Sequence, residues 1–323
     1  VREVPCPRPG GDEVVVRVRN CGICGSDLHS YRGHFPMITG SIMGHEIAGE
    51  VAAVGSGVRG LSEGDRVAVE PLVICGRCAF CRSGNYQHCG SRTFIGMMMP
   101  GGFAEYVKTP GSMLYRVADR VPFETAALVE PLAVAVHGLR LVKLEGGERV
   151  CVLGAGTIGL VTALAALAMG ASEVSITARY DHQRSAAEAI GAAAVDPADT
   201  GSMFGGTQPD VVVETVGGDA DTINQAVQLA RPGGRVAVLG LFMRQVGISM
   251  GLALMKEVTI VGGITYNRPG LQSDFDLAVD IAARQTGPLG GIVTHRVGLD
   301  QLDEGFATAA NKKTGSIKVT VEP

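Results

Sequence analysis

The sequence predicts an α/β protein: a β-rich domain, then a doubly wound parallel sheet. Three observations carry this. Up to about residue 130, short runs of β-forming residues are punctuated by glycine and proline, the pattern of strands and loops. From about Pro131, apolar strands alternate with windows of helical period, the pattern of βαβ units. A glycine-rich turn, Gly154–Gly159, stands where the first of those strands meets the first helix.

In chain order, the opening residues read like the middle of a hairpin, Glu13–Arg19 alternates, and Ile47–Val54 and Arg66–Glu70 are β-rich. The second region predicts strands at Arg149–Leu153, Val174–Ala178, Asp210–Glu214, Arg235–Leu239 and Val258–Val261. Helical periodicity fills Ile158–Met169, His182–Ile190 and Thr222–Ala230, the last stopped by Pro232-Gly233-Gly234. Beyond Thr265, a helix at Asp274–Ala283 and a closing strand at Ser316–Val321 are expected to return to the first domain.

Composition narrows the function classes. Of 323 residues, 46% are apolar and 19% charged, enough for buried cores, and 46 are glycine, about twice the usual share. The net charge of −4 and the lack of like-charge blocks argue against nucleic acid and anionic membrane as partners. Val150–Ser172 carries no charge for 23 positions, yet its glycines at 154, 156, 159 and 170 fit a buried strand, turn and helix better than a membrane span.

Gly154-Ala-Gly156-Thr157-Ile158-Gly159 has the spacing G-x-G-x-x-G after a strand and opening a helix. Gly154 suits the tight turn, Gly156 lets a pyrophosphate approach the helix N-terminus, and Gly159 lets helix and strand pack closely, as in a Rossmann domain. About 20 residues on, NAD sites carry a carboxylate for the ribose 2′-hydroxyl. Here the strand ends Ala178-Arg179-Tyr180, with no acid and a guanidinium able to bind a 2′-phosphate, which favours NADP over NAD.

Eight cysteines occur, and four crowd into Cys75-x₂-Cys78-x₂-Cys81-x₇-Cys89, spacings that wrap a tetrahedral zinc ion with no open position, hence a structural site. His88 is expected to face solvent, and Cys6, Cys21 and Cys151 to pack as small residues. Zinc thiolates and spare thiols fit a reducing compartment, so a cytoplasmic protein is expected. A second, dispersed set contains Cys24, in Gly22-Ile-Cys24-Gly-Ser26-Asp27-Leu-His29, and His45-Glu46. One thiolate, one imidazole and a carboxylate can leave a coordination position open, as catalytic zinc requires.

The order G-I-C-G-S-D-x-H, G-H-E-x-x-G, Glu63-Gly64-Asp65-Arg66-Val67, the four-cysteine lobe, Gly101–Tyr106, Val129-Glu130-Pro131-Leu132 and the glycine turn resembles the zinc-dependent medium-chain alcohol dehydrogenases over nearly the whole chain. Val69-Glu70-Pro71, Glu130-Pro131 and Gly263–Tyr266 look most like the butanediol, polyol and threonine dehydrogenase branch. The resemblance implies a GroES-like catalytic domain from residues 1–132 and 265–323 around a Rossmann domain at 133–264. It implies Cys24 and His45 as ligands of a catalytic zinc, with Glu46 as ligand or exchanging carboxylate and Glu130 as ligand or neighbouring partner. Two zinc ions per subunit and a homodimer or homotetramer, joined near Val246–Met255, are further implications.

The expected reaction is reversible oxidation of a secondary alcohol, diol or polyol, with zinc as Lewis acid and hydride passing to NADP. Ser26 is expected to accept the proton and His29 to pass it outward. The alternative is an NAD-dependent sorbitol- or threonine-type dehydrogenase. Thr265 precedes Tyr266 where sugar-alcohol enzymes of this family tend to place an arginine, which argues against a strongly hydroxylated substrate. Tyr31, Phe35, Phe94, Tyr266 and Met97–Met99 are candidates to line the substrate site; His34, His137, His182 and His295 are given no catalytic role.

Overall fold

The computed structural model describes residues 1–33 and 40–323 and divides into two compact units, Val1–Glu130 with Asn267–Pro323, and Pro131–Tyr266. His34 and Phe35 lie outside the described residues.

The first unit opens without regular structure: Val1–Gly10 forms no hairpin, contrary to the expectation. Strand β1 (Glu13–Gly22) follows, its valines turned inward, and helix α1 (Gly25–Tyr31) leads to β2 (Glu46–Val54) and β3 (Arg66–Val69). A small pair, β4 (Leu72–Val73) and β5 (Thr93–Phe94), brackets the four-cysteine lobe with its single-turn helix α2 (Ala79–Arg82). Then come β6 (Tyr106–Pro110), β7 (Leu114–Arg116) and the short α3 (Phe123–Ala126). β1 runs antiparallel to β2 along its length and to β6 along Glu13–Arg17. Its alternating valines, 14, 16 and 18, enter one core with Ile47, Val67, Val69 and Val107.

The second unit begins as α4 (Val129–Leu141) crosses the Glu130/Pro131 boundary. Its parallel strands are β8 (Arg149–Leu153), β9 (Glu173–Thr177), β10 (Ala193–Val195), β11 (Val211–Glu214), β12 (Arg235–Val238) and β13 (Thr259–Gly262). Helices α5 (Thr157–Ala168), α6 (Asp181–Ile190), α7 (Thr222–Leu229) and α8 (Met250–Met255) lie between them. The order β10-β9-β8-β11-β12-β13 is that of a doubly wound dinucleotide-binding sheet. The order of strands along the sheet switches sides between β8 and β11, so the turn after β8 stands at the switch point where ligands bind. Among the described residues no helix is long and apolar enough to cross a membrane.

The chain then returns to the first unit through α9 (Asp274–Arg284), α10 (Thr286–Gly290), β14 (Val293–Gly298), α11 (Leu302–Ala310) and β15 (Lys318–Glu322). β15 pairs with the end of β1 at Cys21 and Gly22, which completes the order β14-β15-β1-β2-β3-β7. That pairing sets the start of β2 and the loop after β1 beside the last strand of the chain.

Candidate functional site

At the end of β8 the backbone turns at Gly154, φ +100°, a region that glycine enters at little cost. A Cβ on Gly159 would lie 1.7 Å from the Gly154 carbonyl oxygen, so α5 approaches the turn more closely than any side chain permits. A Cβ on Gly156, the N-cap of α5, would meet nothing within 4 Å, and Thr157 and Ile158 form the first turn behind it. Open backbone at the start of a 12-residue helix fits the pyrophosphate of a dinucleotide.

The turn is braced from both sides. Gly154 N–H donates to the Thr177 hydroxyl at 2.7 Å, and the Thr215 hydroxyl donates to the Leu153 carbonyl at 2.7 Å. Thr177 ends β9, so buried Ala178, exposed Arg179 and half-buried Tyr180 follow directly from a residue touching the glycine turn. Gln183 Oε1 accepts the backbone N–H of Arg179 at 3.2 Å and of Tyr180 at 3.4 Å, and the Tyr180 ring stacks on His182 at 5.5 Å. Sequence reasoning missed Thr177 and Gln183. The signal for Gln183 is a glutamine in the first turn of a helix, where its side chain reaches back to the cap.

In the first unit Cys24 is the N-cap of α1, and Asp27, three residues on, accepts the Cys24 backbone N–H at 2.9 Å. His45 and Glu46 stand at the start of β2. Cys24 Sγ, a ring nitrogen of His45 and a carboxylate oxygen of Glu46 thereby lie within 4.8 Å of one another. Asp27 Oδ1 is 3.5 Å from His45 Nδ1, and Ser26 Oγ is 3.5 Å from His45 Nε2. Burial works against a charged imidazole, but the Asp27 carboxylate and the Cys24 sulfur outweigh it and hold His45 well above its usual pKa. The cluster favours positive charge at this point, and a thiolate, an imidazole and a carboxylate are donors that zinc accepts.

Both Glu46 oxygens are also held by Lys318 of β15, a buried partner that sequence reasoning missed; a lysine flanked by Ile317 and Val319 in the closing strand is its signal. His29 lies one helical turn beyond Ser26 and is half-buried. Glu130, in the first turn of α4 and 6% exposed, is outside the cluster of donor atoms. Phe94 meets the His45 ring edge-on at 5.4 Å, whereas Tyr31 packs on Phe306 at 5.1 Å and Tyr266 is fully buried. Met98 is exposed, and Met99 accepts the Thr93 hydroxyl at 3.2 Å.

The Sγ atoms of Cys75, Cys78, Cys81 and Cys89 also lie within 4.8 Å of one another. The Arg77 and Cys78 backbone N–H groups draw the Cys75 thiol down to about 6, while burial and the neighbouring sulfurs push Cys81 up to about 12. Four sulfurs this close can ionise together only around a cation, and a Cys₄ donor set is one that zinc accepts. His88 is exposed. The lobe is pinned by Arg268 N–H to the Gly84 carbonyl at 2.9 Å and by Asn267 to Asn85 at 3.3 Å. Beside it, buried Glu70 accepts the Tyr115 hydroxyl at 2.8 Å, and burial pushes its carboxyl up to about 7 against the opposing Tyr115 and Tyr86 hydroxyls. Of the other cysteines, Cys21 and Cys151 are buried, but Cys6 is exposed on the opening segment, outside any helix or strand, and does not pack as expected.

Residues 10–119 match the alcohol dehydrogenase GroES-like domain, and residues 157–284 the zinc-binding dehydrogenase domain. The chain is 32% identical to sorbitol dehydrogenase of Bacillus subtilis strain 168, covering 100% of this chain and 94% of that protein. It is 34% identical to L-threonine 3-dehydrogenase of Deinococcus deserti, covering 96% and 92% respectively. The crystal structure of a Sinorhizobium meliloti 1021 protein bound to NADP superposes with a TM-score of 0.90 at 34% identity, covering 100% of this chain and 95% of that one. Those matches agree with the sheet order and the two donor clusters: the chain belongs to the zinc-dependent medium-chain alcohol dehydrogenase family and is an oxidoreductase acting on CH–OH groups.

Proposed function

We propose that this protein oxidises a secondary alcohol, diol or polyol reversibly, with NADP as hydride acceptor and two zinc ions per chain. The observation that carries the reading is the convergence of Cys24, His45 and Glu46 beside Ser26. When bound, zinc at Cys24 and His45 supplies Lewis acidity toward the alcohol oxygen, and the nicotinamide supplies the hydride acceptor. Asp27 orients His45 through Nδ1, and Glu46, shared with Lys318, is the ligand or exchanging carboxylate of that centre. Glu130 supports it from outside the donor cluster. Ser26 takes up the alcohol proton, and His29, on the same face of α1 three residues on, passes it outward. Cys75, Cys78, Cys81 and Cys89 hold the second zinc as a structural pin.

Gly154, Gly156, Thr157, Ile158 and Gly159 bind the pyrophosphate, and Ala178, Arg179 and Tyr180 the adenosine ribose. Arg179 favours NADP, a preference also supported by the NADP-bound S. meliloti structure. The relatives named sorbitol and L-threonine dehydrogenase favour a second reading, NAD-linked oxidation of a polyol or 3-hydroxy amino acid. A panel of diols, polyols, simple secondary alcohols and 3-hydroxy amino acids, each assayed with NADP and NAD, separates the two. An NAD preference above about tenfold, roughly 1.4 kcal/mol, would overturn the role given to Arg179.

Two copies are proposed to pair along β13, which ends its sheet, and α8, whose Met250, Leu254 and Met255 are 63%, 75% and 83% exposed. Light scattering in solution tests this: a monomeric mass would overturn it.

A further inference from the structure

A carboxylate the mechanism does not use lies at the C-terminal end of β11. Glu214 is fully buried in the middle of the sheet, where an ionised group is costly unless hydrogen bonds replace its water. Its Oε1 accepts three donors: Val216 N–H at 2.7 Å, Gly217 N–H at 2.9 Å and the Thr222 hydroxyl at 2.7 Å. Its Oε2 has no partner among the described residues and faces Gly240, where a Cβ would lie 2.3 Å from it. One carboxylate thus ties the start of α7 to the loop after β11 and leaves no room for a side chain at the end of β12.

That loop in turn supports the glycine turn. Glu214 pairs with Leu153 across β11 and β8, and the next residue, Thr215, directs its hydroxyl at the Leu153 and Gly154 carbonyls, at 2.7 and 3.1 Å. Val216 packs where a Cβ on Gly154 would stand, at 2.7 Å. Gly218 N–H reaches the Leu241 carbonyl at 2.7 Å, so the segment after β12 is keyed to the same loop. The loop after β11, held by Glu214, therefore touches both neighbouring loops at the carboxyl edge of the sheet, the edge where dinucleotides lie.

We propose that Glu214, acting through Thr215, is a positioning residue for the dinucleotide, holding the glycine turn in its binding shape. The proposal rests on the reading of Gly154–Gly159 as the pyrophosphate site. It predicts an effect on cofactor affinity that is separate from the alcohol and from zinc. An acceptor that serves three donors and a hydroxyl that serves two carbonyls act on shape, not on the reacting atoms.

The test compares Glu214→Ala, Glu214→Gln and Thr215→Val with wild type in the zinc-loaded full chain. The readouts are NADPH and NADH dissociation constants by fluorescence titration, cofactor and alcohol KM, kcat, zinc content and melting temperature. Glu214→Ala is expected to weaken cofactor binding about tenfold and Thr215→Val about threefold, from the loss of charged and neutral hydrogen bonds respectively. Alcohol KM, kcat and zinc content stay near wild type, and Glu214→Gln, which keeps an Oε1 acceptor, restores most of the affinity. Thr215→Val keeps the side-chain shape and so carries the test without emptying the buried cradle. Cofactor dissociation constants within twofold of wild type in Glu214→Ala and Thr215→Val would overturn the proposal. So would losses spread equally over alcohol KM, kcat and zinc content. A wild-type protein that binds neither dinucleotide would instead defeat the reading of the glycine turn itself.

Discussion

Lys318 Nζ lies 2.7 and 2.6 Å from the two carboxylate oxygens of Glu46, with the side chains 2% and 1% exposed. A third bond reaches the Ile23 carbonyl at 3.0 Å, so the ammonium's three protons are all used. The pair joins the last strand to the first residue of β2, next to His45. Removing one partner of such a pair leaves a buried uncompensated charge, which costs about 3–5 kcal/mol.

Lys318→Met is therefore expected to lower unfolding stability by about 3–5 kcal/mol in urea titrations, and Lys318→Met with Glu46→Gln to recover part of it. A single-variant loss below about 1 kcal/mol would put the pair in the weak class of exposed ion pairs.

Glu70 gives a pH dependence of known sign. Its carboxyl, ordinarily near 4.5, is raised to about 7 by burial, so the fold favours the neutral form. The stability this contributes is fully present below pH 4.5 and is lost as pH rises through about 7. Relative to wild type, Glu70→Gln should become more stable between pH 5 and pH 8 by on the order of 3 kcal/mol. Parallel stability curves for the two proteins over that range would contradict the buried, neutral Glu70.

The four-cysteine lobe should be separable from turnover. Cys75→Ser is expected to lose one of two zinc equivalents and melt at a lower temperature, while the folded fraction still oxidises alcohol. Loss of turnover in protein that keeps its fold and its other zinc would remove the structural assignment.

Arg179 is exposed, but its backbone is held by Gln183. Arg179→Ala should therefore reduce kcat/KM for NADP by about 10–100-fold, the scale of a hydrogen bond to a charged group, and leave NAD within about twofold. Equal losses with both cofactors would sink the 2′-phosphate contact.

The legible parts of this protein are those whose signals are local. Strands such as Arg149–Leu153 and Val211–Glu214 are buried on both faces and read as short apolar runs, and the glycine and cysteine spacings are fixed by turns within a few residues. β10, three residues that are exposed or half-buried, and β14, with polar Thr294, His295 and Arg296, carry no such run and escape a pattern search. α8, six residues long and interrupted by Gly251, is too short to show a period. The supporting parts of the sites depend on distance in space: Lys318 meets Glu46 from 272 residues away, and Thr177 meets Gly154 across two strands. Asp27 is intermediate, because its bond to Cys24 is local and its approach to His45 is not.

Zinc content and turnover measured together in Cys24→Ser decide whether Cys24 and His45 form the catalytic metal centre. One zinc per chain in place of two, a folded protein, and alcohol oxidation reduced at least about 10³-fold, several kcal/mol of lost barrier reduction, are expected. Turnover near the wild-type rate in a variant with one zinc would contradict it.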